Sequence, residues 1–102
     1  MGDIMAVYTY LRTSTKKQTT ERQEYIFQKQ GIKSDMDFKD KITGTKADRP
    51  ALNELKAIVK NGDIVYFVSI SRMARNLKDC IEICDYFVDR GVQVKILKEG
   101  ID

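Results

Sequence analysis

Histidine is absent from the 102 residues. That removes Ser-His-Asp and Cys-His catalysis, His-ligated zinc and imidazole acid–base chemistry together, so any reaction must run on other side chains. Cysteine is nearly absent as well: Cys80 and Cys84 are the only two, too few and too close for a disulfide framework, which argues against secretion. No apolar run approaches the roughly 20 residues needed to cross a bilayer, and the N-terminus has no basic segment leading into an apolar core. A cytoplasmic protein without membrane contact is expected. No Gly-rich phosphate loop occurs either.

What is present is ordinary globular material, 42% apolar and 32% charged, in a length that suits one domain with its own core and is too short for two. The net charge of +3 is unevenly spread: residues 1–75 hold 14 basic against 9 acidic side chains, and residues 76–102 hold 4 against 6. The basic excess suits a polyanionic partner on one side of the molecule, and a solvated basic face is the plainer alternative.

A β-prone run predicts a strand from Ile4 to Leu11, followed by a loop over Arg12–Thr19. Thr20-Glu21-Arg22-Gln23 has the capping-box pattern and opens a helix to Gln30, closed by Gly31 in the left-handed conformation. Ser34–Asp40 alternates weakly, with Met36 and Phe38 on one face, and reads as a short strand. Lys41–Asp48 is loop. Asp48 is the candidate cap of a second helix with Pro50 in its first turn; Leu52, Leu55, Ile58 and Val59 form its stripe and Asn61-Gly62 ends it. Ile64–Val68 is continuously apolar, as in a central strand covered on both faces. After a polar connection over Ser71–Asn76, Leu77, Cys80, Ile81, Cys84, Phe87 and Val88 follow helical spacing up to Gly91. Val92–Leu97 closes the chain as a strand. This alternation implies an α/β fold, a mostly parallel sheet of four to five strands with helices on both faces in three layers.

Ligands of such sheets bind beyond the carboxyl ends of the strands. Arg12-Thr13-Ser14 follows the first strand and Ser71–Arg75 the central one, so the two clusters are expected to meet. In an extended backbone Tyr10, Arg12 and Ser14 point the same way. Arg72 and Arg75, three apart, share one face of a helical turn, and Arg49 opens a helix whose free amides favour an anion. Planar guanidinium groups bind phosphate oxygens in pairs, and preorganised cations stabilise the charge of a phosphoryl-transfer transition state, which is the setting in which a serine could act without histidine. Taken singly, each cluster also has a plain reading as a turn or as surface arginines in salt bridges. Lys16 and Lys17 suit DNA backbone contact or a solvated loop equally. Cys80 and Cys84 read as core thiols, and Tyr66 and Phe67 as packing residues.

The linear order of these pieces resembles the catalytic domain of the serine recombinases, the resolvase/invertase family, over nearly the whole chain. Tyr10-Leu11-Arg12-Thr13-Ser14-Thr15 is similar to the family's Tyr-x-Arg-Val-Ser element, and Gln18 and Gln23 stand at its spacing. Asp40-Lys41-Ile42-Thr43-Gly44 resembles Asp-x-x-Ser-Gly, Asp48-Arg49-Pro50 an Arg-Pro or Arg-Glu element, and Gly62-Asp63 precedes the central strand. Arg72-Met73-Ala74-Arg75-Asn76 resembles Arg-Leu-x-Arg-Asn/Asp, and Glu99-Gly100-Ile101 the closing element. The resemblance implies that Ser14 attacks a DNA phosphodiester, giving a 5′-phosphoserine and a free 3′-hydroxyl, with no metal, cofactor or ATP. It implies that Arg12, Arg49, Arg72 and Arg75 bind the scissile phosphate, that Gln18 positions it, and that Tyr10, Asp40 and Ser71 support the site. Two residues depart from the pattern: Ser71 stands where an Asp is common, removing a carboxylate that could orient arginines or handle a proton, and Thr13 replaces a valine.

Family members continue past the final strand into a long dimerisation helix and a DNA-binding domain, whereas this sequence stops at Asp102. Residues 1–102 are therefore expected to be a catalytic core without those parts, inactive alone. The homodimers and synaptic tetramers implied by the resemblance belong to the longer protein. One rival reading is a catalytically silent recombinase core acting as an interaction module. The other is an unrelated phosphate-binding or receiver-like domain, disfavoured because no acidic pair follows the first strand.

Overall fold

The computed structural model describes residues 5–13, 19–41 and 49–98. Their elements run β1 (Val7–Thr13), α1 (Glu21–Lys29), β2 (Met36–Lys41), α2 (Pro50–Ile58), β3 (Ile64–Ser69), the single turn α3 (Ile70–Met73), α4 (Leu77–Asp89) and β4 (Gln93–Lys98). The four strands form one sheet in the order β2-β1-β3-β4, every pair parallel. The continuous apolar run of β3 thus occupies an interior strand, as its composition requires.

Helices cover both faces. On one, Tyr10, Phe38, Val65 and Phe67 pack against Leu52 and Leu55 of α2 and Cys80, Ile83 and Phe87 of α4. On the other, Leu11 and Val68 meet Phe27 of α1. Phe67 is the centre of the larger cluster, with ring centroids 5.8 Å from Tyr10 and 6.4 Å from Phe87. Tyr66, on the opposite face, is half-buried against Phe27. Among the described residues no helix is long and apolar enough to cross a membrane.

Several local expectations change. β1 runs two residues past Leu11, because its register with β2 continues to Thr13 opposite Lys41. The capping box does not form: Thr20 makes no cap hydrogen bond, its hydroxyl donating to the Glu24 carboxylate, while Gln23 turns inward to β1. Gly31 does adopt the left-handed conformation, φ 76°. Phe38 is buried but Met36, at the start of the edge strand β2, is exposed. α2 begins at Pro50 with Arg49 at the cap position, and it ends at Ile58, where Val59 turns extended. The proposed cap Asp48 and most of the expected loop, residues 42–48, lie outside the described residues, as do Ile4 and Glu99–Ile101.

The apolar stripe of α4 splits in two. Cys80, Ile83 and Phe87 face the sheet, Cys84 is half-buried beside Cys80, and Leu77, Ile81 and Val88 are exposed at 73%, 51% and 61%. A stripe wider than the sheet contact leaves its outer edge uncovered. Burial, together with the neighbouring Cys80, pushes the Cys84 thiol above its ordinary value.

Candidate active site

In the strand order β2-β1-β3-β4, the chain passes from β1 outward to β2 and then back across to β3. The crevice beyond the carboxyl ends of β1 and β3 is the switch point where ligands of parallel sheets bind. Residues from three distant parts of the chain gather there.

Arg12 is the penultimate residue of β1. Its backbone is held by Gln23 of α1, whose Oε1 accepts from the Arg12 amide at 3.2 Å and whose Nε2 donates to the Arg12 carbonyl at 2.8 Å. A side-chain amide here continues the ladder that a strand neighbour would provide. The Arg12 guanidinium reaches across the crevice, Nη1 donating to the Ser71 carbonyl at 2.8 Å. Its Nε is buried and has no acceptor among the described residues. Burial, and then the positive charges of Arg49 and Arg72, lower its pKa. Those two charges are therefore near enough for Arg12 to feel them.

Tyr10 and Asp40 lie beneath them. The buried Asp40 accepts from the Tyr10 hydroxyl at 2.7 Å and from the amides of Ala51 and Leu52 at 2.9 and 3.1 Å. A carboxylate of β2 thus serves as the N-terminal cap of α2, satisfying amides that Pro50 and Arg49 leave free. Burial first, and then Asp40, raise the pKa of the Tyr10 phenol. Tyr10 therefore stays protonated and serves as a donor.

Arg49 sits immediately before that helix and is only 7% exposed. Its Nη1 donates to the Met73 carbonyl at 3.0 Å and its Nη2 to both oxygens of Asp79 at 2.7 Å. Asp79, in the first turn of α4, also accepts from the Arg75 amide at 3.0 Å, with Arg75 Nε 4.0 Å away. Burial alone would raise the Asp79 carboxyl, but the hydrogen bonds and charges of Arg49 and Arg75 outweigh it and hold the pKa below the usual aspartate value.

Arg72 and Arg75 do not share a helical turn as expected. α3 stops at Met73 and Ala74 is extended, so Arg75 leaves on a bend and is exposed. Ser69 caps α3 by accepting the Arg72 amide at 3.3 Å, and its hydroxyl lies 3.1 Å from that of Ser71.

Arg12, Arg49, Arg72, Tyr10, Asp40 and Ser71 are thus brought to one end of the sheet, with Arg75 at the margin. Ser14, Lys16, Lys17 and Gln18 lie outside the described residues, and Ser14 directly follows the last residue of β1. Sequence reasoning missed Asp79. Its i,i+4 spacing from Arg75 was a visible signal; its pairing with Arg49, thirty residues away, was not.

The family described as "Resolvase, N terminal domain" matches residues 7–102. The chain belongs to that family. Among curated resolvases, the transposon Tn21 resolvase of Escherichia coli is 39% identical over 92 residues, covering 90% of this chain and 47% of the relative. The transposon Tn3 resolvase of Escherichia coli is 31% identical over 97 residues, covering 95% and 52%. The chain spans about half the length of the curated relatives it matches. A serine recombinase from Sulfolobus solfataricus superposes with a TM-score of 0.75 at 18% identity, over 97% of this chain and 72% of that one. The C-terminal catalytic domain of ISC1926 TnpA, an IS607-like serine recombinase, gives 0.72 at 24%, over 90% and 69%. These two likenesses establish the resolvase-domain fold.

Proposed function

We propose that this chain is the catalytic domain of a serine site-specific recombinase and that Ser14 is its nucleophile. The Ser14 hydroxyl gives up its proton as Oγ forms a bond to the phosphorus of a DNA phosphodiester and the P–O3′ bond breaks, and the departing 3′-oxygen takes up a proton, so that none is consumed overall. The product is a 5′-phosphoserine link and a free 3′-hydroxyl; attack by the 3′-hydroxyl of an exchanged strand reverses the step. The ester linkage conserves the bond energy, so ATP is not consumed.

Arg12, Arg49, Arg72 and Arg75 bind the non-bridging oxygens, neutralising charge that grows in the transition state. Gln18 positions the phosphate, Lys16 and Lys17 contact the adjoining backbone, and Ser71, Tyr10 and Asp40 hold the arginines' supports. In the longer protein a C-terminal helix and a DNA-binding domain supply dimerisation, assembly of a synaptic tetramer and choice of site.

The observation that carries this reading is the Arg12 guanidinium. It belongs to β1 two residues before Ser14, donates to the Ser71 carbonyl in the segment after β3, and feels the charges of Arg49 and Arg72.

The test is a chimera in which this chain replaces the matching half of Tn3 resolvase, acting on that resolvase's DNA sites. The expected result is a 5′ DNA end covalently attached to Ser14, lost in Ser14→Ala. Cleavage by Ser14→Ala refutes the assignment. The silent-module reading, which Ser71 favours, instead expects assembly with intact Tn3 resolvase on DNA without any covalent adduct.

A further inference from the structure

Arg49 is the most enclosed cation of the crevice, and the chain itself already occupies its fork: one nitrogen is on the Met73 carbonyl, the other on both oxygens of Asp79. Arg12, whose guanidinium crosses the crevice to the Ser71 carbonyl, feels the like charges of both Arg49 and Arg72. A buried guanidinium in such company needs a compensating anion. Asp79 is the only carboxylate hydrogen-bonded to an arginine side chain among the described residues. Its place is set by the start of α4, where Asn76 accepts the Asp79 amide at 2.8 Å. Two of its contacts join segments that only the tertiary fold brings together, the entry to α2 and the exit from α3.

We propose that Asp79 is a positioning residue for the phosphate site: it holds Arg49 at the crevice and ties Arg75 to its margin, supplying from α4 a carboxylate that orients arginines where residue 71 has none. The inference rests on the reading of the crevice as a phosphate site. Asp79 touches no phosphate itself. It offsets the repulsion among the guanidinium groups, so that the outward-facing donors of the cluster are in place before an anion arrives, and the ordering cost on binding falls.

The experiment is a titration of the folded 102-residue chain with inorganic phosphate, followed by the backbone amide signals of Thr13, Arg72 and Arg75 and the arginine Nε–Hε signals. Asp79→Asn is expected to weaken phosphate about tenfold, as for residues coupled within one salt-bridged network. In an Arg49→Gln background the same substitution is expected to change affinity by less than about twofold, because the residue it acts through is gone. Asp79→Glu, which keeps the charge, restores most of the affinity. Equal losses in both backgrounds overturn the inference, since Asp79 then does not act through Arg49. Unchanged or tighter binding by Asp79→Asn overturns it too, making the carboxylate a bystander or a competitor of the anion. Should Asp79→Asn fail to fold, Asp79→Glu decides: affinity near that of the parent supports the inference, and a loss as large as that of Arg49→Gln refutes it. A parent chain that gives no response to phosphate retires the phosphate site along with the inference. A response abolished by Arg12→Ala but indifferent to Asp79 leaves the site standing and removes only the inference.

Discussion

Removal of the Asp40 carboxylate tests how the site is held up. Three donors converge on it in the core: the Tyr10 hydroxyl and the amides of Ala51 and Leu52. Asp40→Ala removes the cap of α2, at about 1 kcal/mol. It also strands a buried phenol, at about 1–3 kcal/mol. The expected loss is about 2–4 kcal/mol out of a total that for such domains is about 5–15 kcal/mol. The sharper expectation is a change of sign. In the parent, Tyr10→Phe breaks one hydrogen bond and costs about 1 kcal/mol. With Ala at position 40 the hydroxyl has no acceptor, so the same substitution removes an orphaned donor and stabilises by about that amount. Urea unfolding at constant m-value measures all four proteins of the cycle. An Asp40→Ala loss below about 0.5 kcal/mol, or an equal Tyr10→Phe cost in both backgrounds, refutes the account.

The Thr13 hydroxyl is buried and has no partner among the described residues, so Thr13→Val is expected to raise stability by about 1 kcal/mol; an unchanged urea midpoint counts against it. Phe87→Ala is expected to cost about 3–5 kcal/mol because that ring is fully buried. Its exposed neighbour Val88 is expected to tolerate alanine within about 0.5 kcal/mol, and comparable losses at both positions would contradict the orientation of α4. The depressed pKa of Asp79 means that the folded state binds its proton less tightly than the unfolded chain. Its stabilisation is therefore full above the ordinary carboxylate range and disappears as acid titrates it through its own lower pKa, below about pH 4. Acid unfolding monitored by circular dichroism is expected to lose that component in Asp79→Asn; an identical acid limb in both proteins rules the linkage out.

The outcome at the sheet and at the site follows one pattern. Alternation of strand and helix, the apolar run of β3, the left-handed Gly31 and the proximity of Arg12 to the Arg72 segment were all legible, because each rests on local periodicity or on a topological rule that parallel sheets obey. The caps were not. Thr20 and Gln23 have the spacing of a reciprocal box, yet Gln23 gains two hydrogen bonds to β1 by turning inward. Asp40 caps a helix that begins ten residues later. Local pattern offers a partner, and a distant one with better geometry takes its place.

By itself the sequence determined the fold class and the family, and it nominated as the site four arginines and one serine, Arg12, Arg49, Arg72, Arg75 and Ser14, in a chain without histidine. Only the tertiary structure decided which strand lies beside which, that Arg75 swings to the margin while Arg49 is enclosed, that half of the α4 stripe faces outward, and that Asp79 pairs with Arg49. The physical reason is range. Propensity, alternation and helical spacing act over a few residues, whereas pairing between charges thirty residues apart depends on the packing that first brings their backbones together.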